Sequence, residues 1–244
     1  TWNGWLMSEA EGTQLGGTTD RTRWDVAAAA VANLQIESVD SQLELVDCGA
    51  HDLRIKSLQE LVVPFMSVMG TLMERQTKIQ PPALSEIELQ ALVGCIQDAL
   101  SRLGELGIPD TLGHLDLNPE NIIVSQRRCV LLDWAEAYVG QPFFSFQYLL
   151  EHFRRIGDVD STSEAKLAAS YHAPWEQITS HDCVAEAMSY APLIAAFAYA
   201  VGTDAWKQPE RLSDARVGGY LRSLVRRMNR EARKLSERRS LCLT

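Results

Sequence analysis

Cysteine is scarce and scattered: Cys48, Cys95, Cys129, Cys183 and Cys242 are odd in number and nowhere spaced C-x-x-C. That pattern fits a reducing compartment and offers neither a disulfide framework nor a zinc site, so a cytoplasmic location is expected. No secretory leader is visible, since "TWNGWLMSEAEG" lacks a basic stretch and carries acids early. The most apolar run, "AMSYAPLIAAFAYAVG" (187–202), contains Pro192 and falls short of the ~20 residues of a membrane span. It reads as a buried helix, and no membrane partner is expected. There is no internal repeat, no low-complexity linker, no G-x-S-x-G elbow and no H-E-x-x-H pair. Thr1, with no initiator Met and an apolar "WLM" close behind, reads as the edge of a longer chain.

What remains is a chain of 244 residues, 46% hydrophobic and 23% charged, long enough to bury a sizeable core. Its net charge of −9 argues against bulk nucleic-acid binding and leans slightly toward a cationic ligand. Helical periodicity dominates. "TRWDVAAAAVANLQIES" (22–38) is alanine-rich, with Trp24, Ala28, Val31 and Leu34 along one face. A helix over 52–76 is apolar around much of its girth, with a kink expected near Pro64. The segment 81–107 opens with prolines and a Ser85…Glu88 capping box and stops at glycines. Further helices are expected over 142–156, 162–171 (with a Ser161…Glu164 capping box), 181–201 and 211–238. "EGTQLGG" (11–17) reads as a turn, fitting neither G-x-G-x-x-G nor a P-loop.

The 211–240 tail holds ten Lys/Arg against three Asp/Glu, a local +7. A basic helix can bind nucleic acid or anionic lipid. Here, though, Leu221, Leu224, Val225 and Met228 share one face, and no aromatics follow to stack bases. A solvated face opposite a packed stripe is the better reading, and no nucleic-acid partner is expected. The pairs His51-Asp52 and His181-Asp182 fall at expected helix starts, where an aspartate caps free N–H groups.

The clear β signal is a hairpin, "IIVS" (122–125) and "CVLLD" (129–133) around "QRR". The fold class is therefore mainly α with a small β-hairpin element, an α+β chain. With the turn centred on Arg127, Asn121 lies opposite Asp133, and directly opposed residues sit roughly 5 Å apart. A carboxylate and an amide oxygen at one hairpin end suit Mg²⁺, which completes its shell with water and phosphate oxygens. Asp116 precedes Asn121 by five positions, the D-x-x-x-x-N spacing of a kinase catalytic loop. In that chemistry an Asp accepts a hydroxyl proton beside the γ-phosphate, while an Asn and a second Asp hold the metal. Taken singly, Asp116, Asn118 and Asn121 also read as turn formers.

The string "HLDLNPENIIV…VLLDW…VGQPFF" resembles the aminoglycoside phosphotransferase and choline kinase-like family, whose hallmark is H-G-D-x-x-x-x-N followed by a hydrophobic-D-W. The resemblance implies a protein-kinase-like C-terminal lobe. It makes Asp116 the catalytic base, Asn121 and Asp133 the Mg²⁺ ligands and His114 the residue that orients the loop. Trp134 would pack where protein kinases carry Phe. "WLMSEAEG" (5–12) is similar to the interlobe hinge, where the Ser8 carbonyl and the Ala10 N–H would meet the adenine of ATP. The implied layout is one lobe over 1–244: hinge and loop (1–20), helical subdomain (21–112), catalytic loop and metal hairpin (113–140) and C-terminal helices (141–244).

The implied activity is ATP- and Mg²⁺-dependent phosphoryl transfer to a hydroxyl of a small molecule. Family acceptors include aminoglycosides, macrolides, choline and homoserine. Leu115 replaces the usual glycine, and Ser145 stands where the family usually has an aspartate that steadies the catalytic loop. No small β-rich lobe with its phosphate-covering loop and lysine precedes the hinge, so the expectation is a C-terminal lobe, inactive by itself. The other expectation is a non-catalytic, pseudokinase-like binding or scaffold domain, against which the intact Asp116, Asn121 and Asp133 count.

Overall fold

The structure, a computed structural model, describes residues 9–125, 128–156 and 159–242. A short strand β1 (Thr13–Gln14) and one 3-10 turn lead into α1 (Thr22–Glu37). Then follow α2 (Gln42–Asp47), β2 (His51–Leu53), α3 (Ile55–Glu74) and α4 (Glu86–Glu105). The middle of the chain holds β3 (Thr111–His114), β4 (Ile122–Val124), β5 (Cys129–Leu131) and β6 (Ala137–Gly140). It ends in α5 (Phe143–Arg155), α6 (Ser161–Trp175), α7 (His181–Gly202), α8 (Pro209–Leu212) and α9 (Ala215–Cys242). The expected class, mainly helical with small sheets, is what the chain adopts.

Composition explains the helical packing. The alanines of α1 (Ala27, Ala28 and Ala32, all buried) let that helix lie close along α6, and Trp24 meets the Phe153 ring at 5.3 Å. Buried Gln35 is satisfied on both sides, donating to the Pro142 carbonyl at 2.8 Å and accepting from Tyr171 Oη at 2.7 Å. By length and composition α7 passes for a membrane span, yet Ile194, Phe197, Ala198, Ala200 and Val201 are buried in the core between α5 and α9. Each Phe- or Leu-sized side chain so buried contributes ~1.5–3 kcal/mol.

Two three-stranded sheets position the middle of the chain. One has the order β1-β4-β5 and is antiparallel; the other has the order β2-β6-β3, with β2 parallel and β3 antiparallel to β6. The second sheet is absent from the sequence expectations. Its strands are short and carry Gly113 and Gly140, which weaken any strand pattern. Both glycines are there for close approach. A Cβ on Gly113 would sit 2.0 Å from the Tyr138 ring, and one on Gly140 would sit 2.5 Å from the Leu53 carbonyl oxygen.

Several local expectations change. The 52–76 helix begins at Ile55, because 51–53 is strand β2, and it runs on through Pro64. "EGTQLGG" is a strand and a 3-10 turn whose Leu15 is fully buried. The Ser85…Glu88 box caps α4 as expected. The Ser161…Glu164 box does not form: Asp160 caps α6 from one residue earlier, and Glu164 pairs with Arg154. Asp52 caps no helix but forms a bidentate pair with Arg54, and Ser180 rather than Asp182 caps α7.

Candidate functional site

Segment 115–121 crosses from β3 in one sheet to β4 in the other, and segment 132–136 crosses back from β5 to β6. The two crossings are bonded to each other. Leu132 N–H donates to the Asn121 carbonyl at 2.8 Å, and Leu115 N–H donates to the Glu136 carbonyl at 3.1 Å. The polar residues at the hairpin base thus sit where the chain passes between sheets.

His114 is the hub of this crossing. It is buried, and its Nδ1 accepts the Asp116 N–H at 3.1 Å. Nε2 must then carry the proton, which it donates to the Leu132 carbonyl at 2.9 Å. With both nitrogens used internally, His114 ties the two crossings together and has no atom left for a substrate. The Trp134 ring packs on it at 5.0 Å, anchored by an Nε1 hydrogen bond to the Leu131 carbonyl.

Ser145 keeps the tie that an aspartate would make: its Oγ accepts the His114 N–H at 2.9 Å. Tyr138 Oη lies 3.0 Å from that Oγ and accepts the Ser145 N–H at 3.2 Å. Leu115, in place of glycine, is buried against α7, where a Cβ on Gly202 would come within 2.7 Å of it. The larger side chain is accommodated because its neighbour has none.

Asp116 is held by neutral donors. Asn118 Nδ2 lies 3.2 Å from both carboxylate oxygens, Asn121 Nδ2 lies 3.3 Å from Oδ2, and Tyr148 Oη donates to Oδ1 at 3.2 Å. Burial, with Asp116 beside it, pushes the Tyr148 phenol up to about 12, so it remains a protonated donor. These four contacts, all at 3.2–3.3 Å, engage both carboxylate oxygens. Among the described residues no lysine or arginine pairs with Asp116 or Asp133. Asn118 is also a turn former, its Oδ1 accepting the Glu120 N–H at 2.8 Å. Tyr148 went unnoticed in the sequence. It lies three residues beyond Ser145, on the same face of α5, and residues at that spacing share a face.

The hairpin register is one residue away from the expectation. Ile122 pairs with Leu131, Ile123 with Val130 and Val124 with Cys129, so Asn121 lies opposite Leu132 rather than Asp133. Ser125 N–H also reaches the Arg128 carbonyl at 2.8 Å, one step beyond the strands in the same register. Asp133 is the next residue along and takes a left-handed backbone conformation, with φ 57° and ψ 64°. Such strain in a non-glycine residue costs ~1–3 kcal/mol and gathers at functional sites. Its exposed carboxylate has no hydrogen-bond or ion-pair partner among the described residues. Asn121 spends its Nδ2 on the Asp116 carbonyl at 3.0 Å as well as on the carboxylate, so Oδ1 is its free atom. One free carboxylate and one free amide oxygen form a hard donor set that fits Mg²⁺ with its remaining positions open.

Of the expected adenine contacts, Ser8 lies outside the described residues. Ala10 is described and half-buried, three residues ahead of β1.

The chain matches the phosphotransferase enzyme family, APH, over residues 8–180. It belongs to that family. Among solved structures it is similar to the choline kinase LicA from Streptococcus pneumoniae, with a TM-score of 0.55 and 17% identity over 93% of this chain and 68% of that one. LicA in complex with AMP gives a TM-score of 0.54 at 18% identity, over 93% of this chain and 66% of that one. A protein from Ralstonia eutropha assigned to the aminoglycoside phosphotransferases gives 0.59 at 15% identity, over 94% and 71%. At these identities the likeness is one of fold. The chain spans about two thirds of the length of the choline kinase. No curated protein sequence matches it.

Proposed function

We propose that these residues are the base-bearing lobe of a small-molecule kinase that transfers the γ-phosphoryl group of Mg·ATP to an acceptor hydroxyl. The carrying observation is the contrast in one site between Asp116, oriented by three neutral side chains, and the unpartnered, left-handed Asp133 beside Asn121. Asp116 takes the hydroxyl proton as the acceptor oxygen bonds to the γ-phosphorus and the bond to the β-bridging oxygen breaks, leaving ADP. Asp133 and Asn121 Oδ1 would hold Mg²⁺, which would supply positive charge to offset that developing on the phosphates. Ser8 and Ala10 offer backbone groups to adenine, a reading supported by family membership and by the AMP complex of the choline kinase.

The test is Asp116→Asn in the complete protein, which keeps size and hydrogen bonding but loses basicity. We expect kcat to fall by about 10²–10⁴-fold with nucleotide binding retained. Turnover like the unaltered protein's would end the assignment. Retained binding with no turnover in the unaltered protein would favour a non-catalytic binding domain. We further propose that the glycine-rich loop and phosphate lysine are supplied from outside these 244 residues. The isolated chain should then stay far below the roughly 1–100 s⁻¹ of ordinary kinases.

A further inference from the structure

A cavity of about 390 Å³ is lined by Leu115, the chain neighbour of Asp116, and by Tyr148, which hydrogen-bonds to it. Two helix faces wall it. From α5 come Phe144, Gln147, Tyr148, Glu151 and Arg155, at the spacing of one stripe; from α9 come Tyr220, Leu224, Arg227 and Arg230 at the same spacing. Both stripes run from aromatic to cationic. At one end Tyr148 touches Asp116, its ring stacks with Tyr199 at 6.2 Å, and Tyr199 meets Tyr220 edge-on at 6.5 Å. At the other end stand Arg155, Arg227 and Arg230.

The one carboxylate lining the cavity, Glu151, is already committed, and nearby Glu231 is paired with Lys234. Glu151 accepts from Gln147 Nε2 at 2.8 Å, pairs with Arg227 and lies 3.8 Å from Arg155. Arg230 is exposed and has no partner among the described residues. Within the lining, three guanidiniums against one carboxylate leave positive charge in excess at the far end. This is local and opposes the net charge of −9 of the whole chain. Other arginines of α9 are used elsewhere: Arg222 donates to the Leu72 carbonyl, Arg226 to the Pro82 carbonyl, and Arg233 pairs with Glu88. Those three fasten α9 to α3, α4 and the loop between them.

We infer that this cavity takes the acceptor and selects one carrying an anionic group, a carboxylate or a phosphate, at its end remote from the reacting hydroxyl. Its role as the acceptor pocket rests on the kinase reading; its charge preference does not. The seven-residue step from Tyr148 to Arg155 spans about 10 Å of helix. An acceptor the size of a substituted monosaccharide bridges the two ends. Its hydroxyl meets Asp116, its body lies against the tyrosine rings, and its anion accepts the paired N–H groups of a guanidinium.

The experiment is calorimetric titration of the complete protein, without nucleotide, with four compounds on one ring scaffold: glucose 6-phosphate, glucuronate, glucose and glucosamine. We expect one or both anionic members to bind about tenfold or more tighter than glucose, with glucosamine weakest. The two anionic arms separate phosphate from carboxylate recognition. Arg230→Glu should remove the preference, whereas Lys78→Glu, an equal change of net charge on the loop between α3 and α4, should leave it. Equal affinities, a preference for glucosamine, persistence of the preference in Arg230→Glu, or no binding by any member overturns the inference. ADP release with Mg·ATP is read separately. Anion-selective binding without ADP release leaves the pocket's selectivity standing and defeats the kinase reading; ADP release with glucosamine alone does the opposite.

Discussion

Asp116 and Asp133 lie at the base of the same hairpin and are treated in opposite ways. Asp116 is gripped by Asn118, Asn121 and Tyr148. Asp133 is gripped by nothing among the described residues and is turned outward by a strained backbone. A group that must meet a hydroxyl at one angle gains from fixed neighbours, because positioning lowers the barrier before the reaction starts. A group meant to bind a cation gains from having no competing partner. The difference fits the two roles proposed for them, a base for Asp116 and a metal ligand for Asp133.

The largest test of that contrast is Asp133→Gly. Glycine adopts φ 57° freely, so the variant should melt higher by about 1 kcal/mol of stability while losing Mg²⁺-dependent nucleotide binding. Asn121→Ala should weaken that binding less, since a neutral amide oxygen offsets less cation charge. Titrating Mg·ATP into both variants checks the order. Unchanged affinity in Asp133→Gly would mean the free carboxylate is not a metal ligand.

Next in size is the support beneath Asp116. Ser145→Ala leaves the buried His114 N–H without its acceptor, a loss of about 1–3 kcal/mol on urea unfolding. Tyr148→Phe should leave stability nearly unaltered yet lower kcat by about tenfold, equivalent to ~1.4 kcal/mol, with the KM for ATP unmoved. A parallel drop in stability and rate would make Tyr148 a packing residue only.

How much of this was readable beforehand follows from where the information sits. The α1 and α4 helices announce themselves through alanine content and the Ser85…Glu88 box, which are local signals. The strands β2, β3 and β6 do not, because they are held by one another across long separations in sequence and contain glycines needed for contact. The H-x-D-x-x-x-x-N and L-D-W strings located the candidate site. They missed the hairpin register by one residue, since a turn centred on Arg127 and one centred half a residue earlier look alike in "SQRRC". Nothing in the string marks Asp133 as left-handed, although aspartate tolerates that conformation better than most residues. Tyr148 and the arginines of the cavity were hidden because α5 and α9 meet only in the folded chain.

A third aspartate gives the smallest and cleanest test. Asp52 on β2 is held by a cation: its oxygens accept from Arg54 Nε at 2.8 Å and Nη2 at 2.7 Å, and from the Arg54 N–H at 3.2 Å. Those bonds bring its carboxyl down from the ordinary 3.8 to about 2. A carboxyl lowered on folding adds stability above the unfolded pKa and forfeits it as the pH falls through the folded one. The loss should therefore run from about pH 4 down to about pH 2 and be absent at pH 7. The pair is partly open to solvent, with side chains 29% and 32% exposed, so water and salt screen it. Its worth is that of a surface ion pair, about 0–1 kcal/mol. Asp52→Asn should lower the urea midpoint slightly at pH 7 and narrow the gap to the unaltered protein at pH 3. Added salt should shrink the pH 7 difference too. A gap that stays constant from pH 7 to pH 3 would show that Asp52 acts through the shape of β2 and not through its charge.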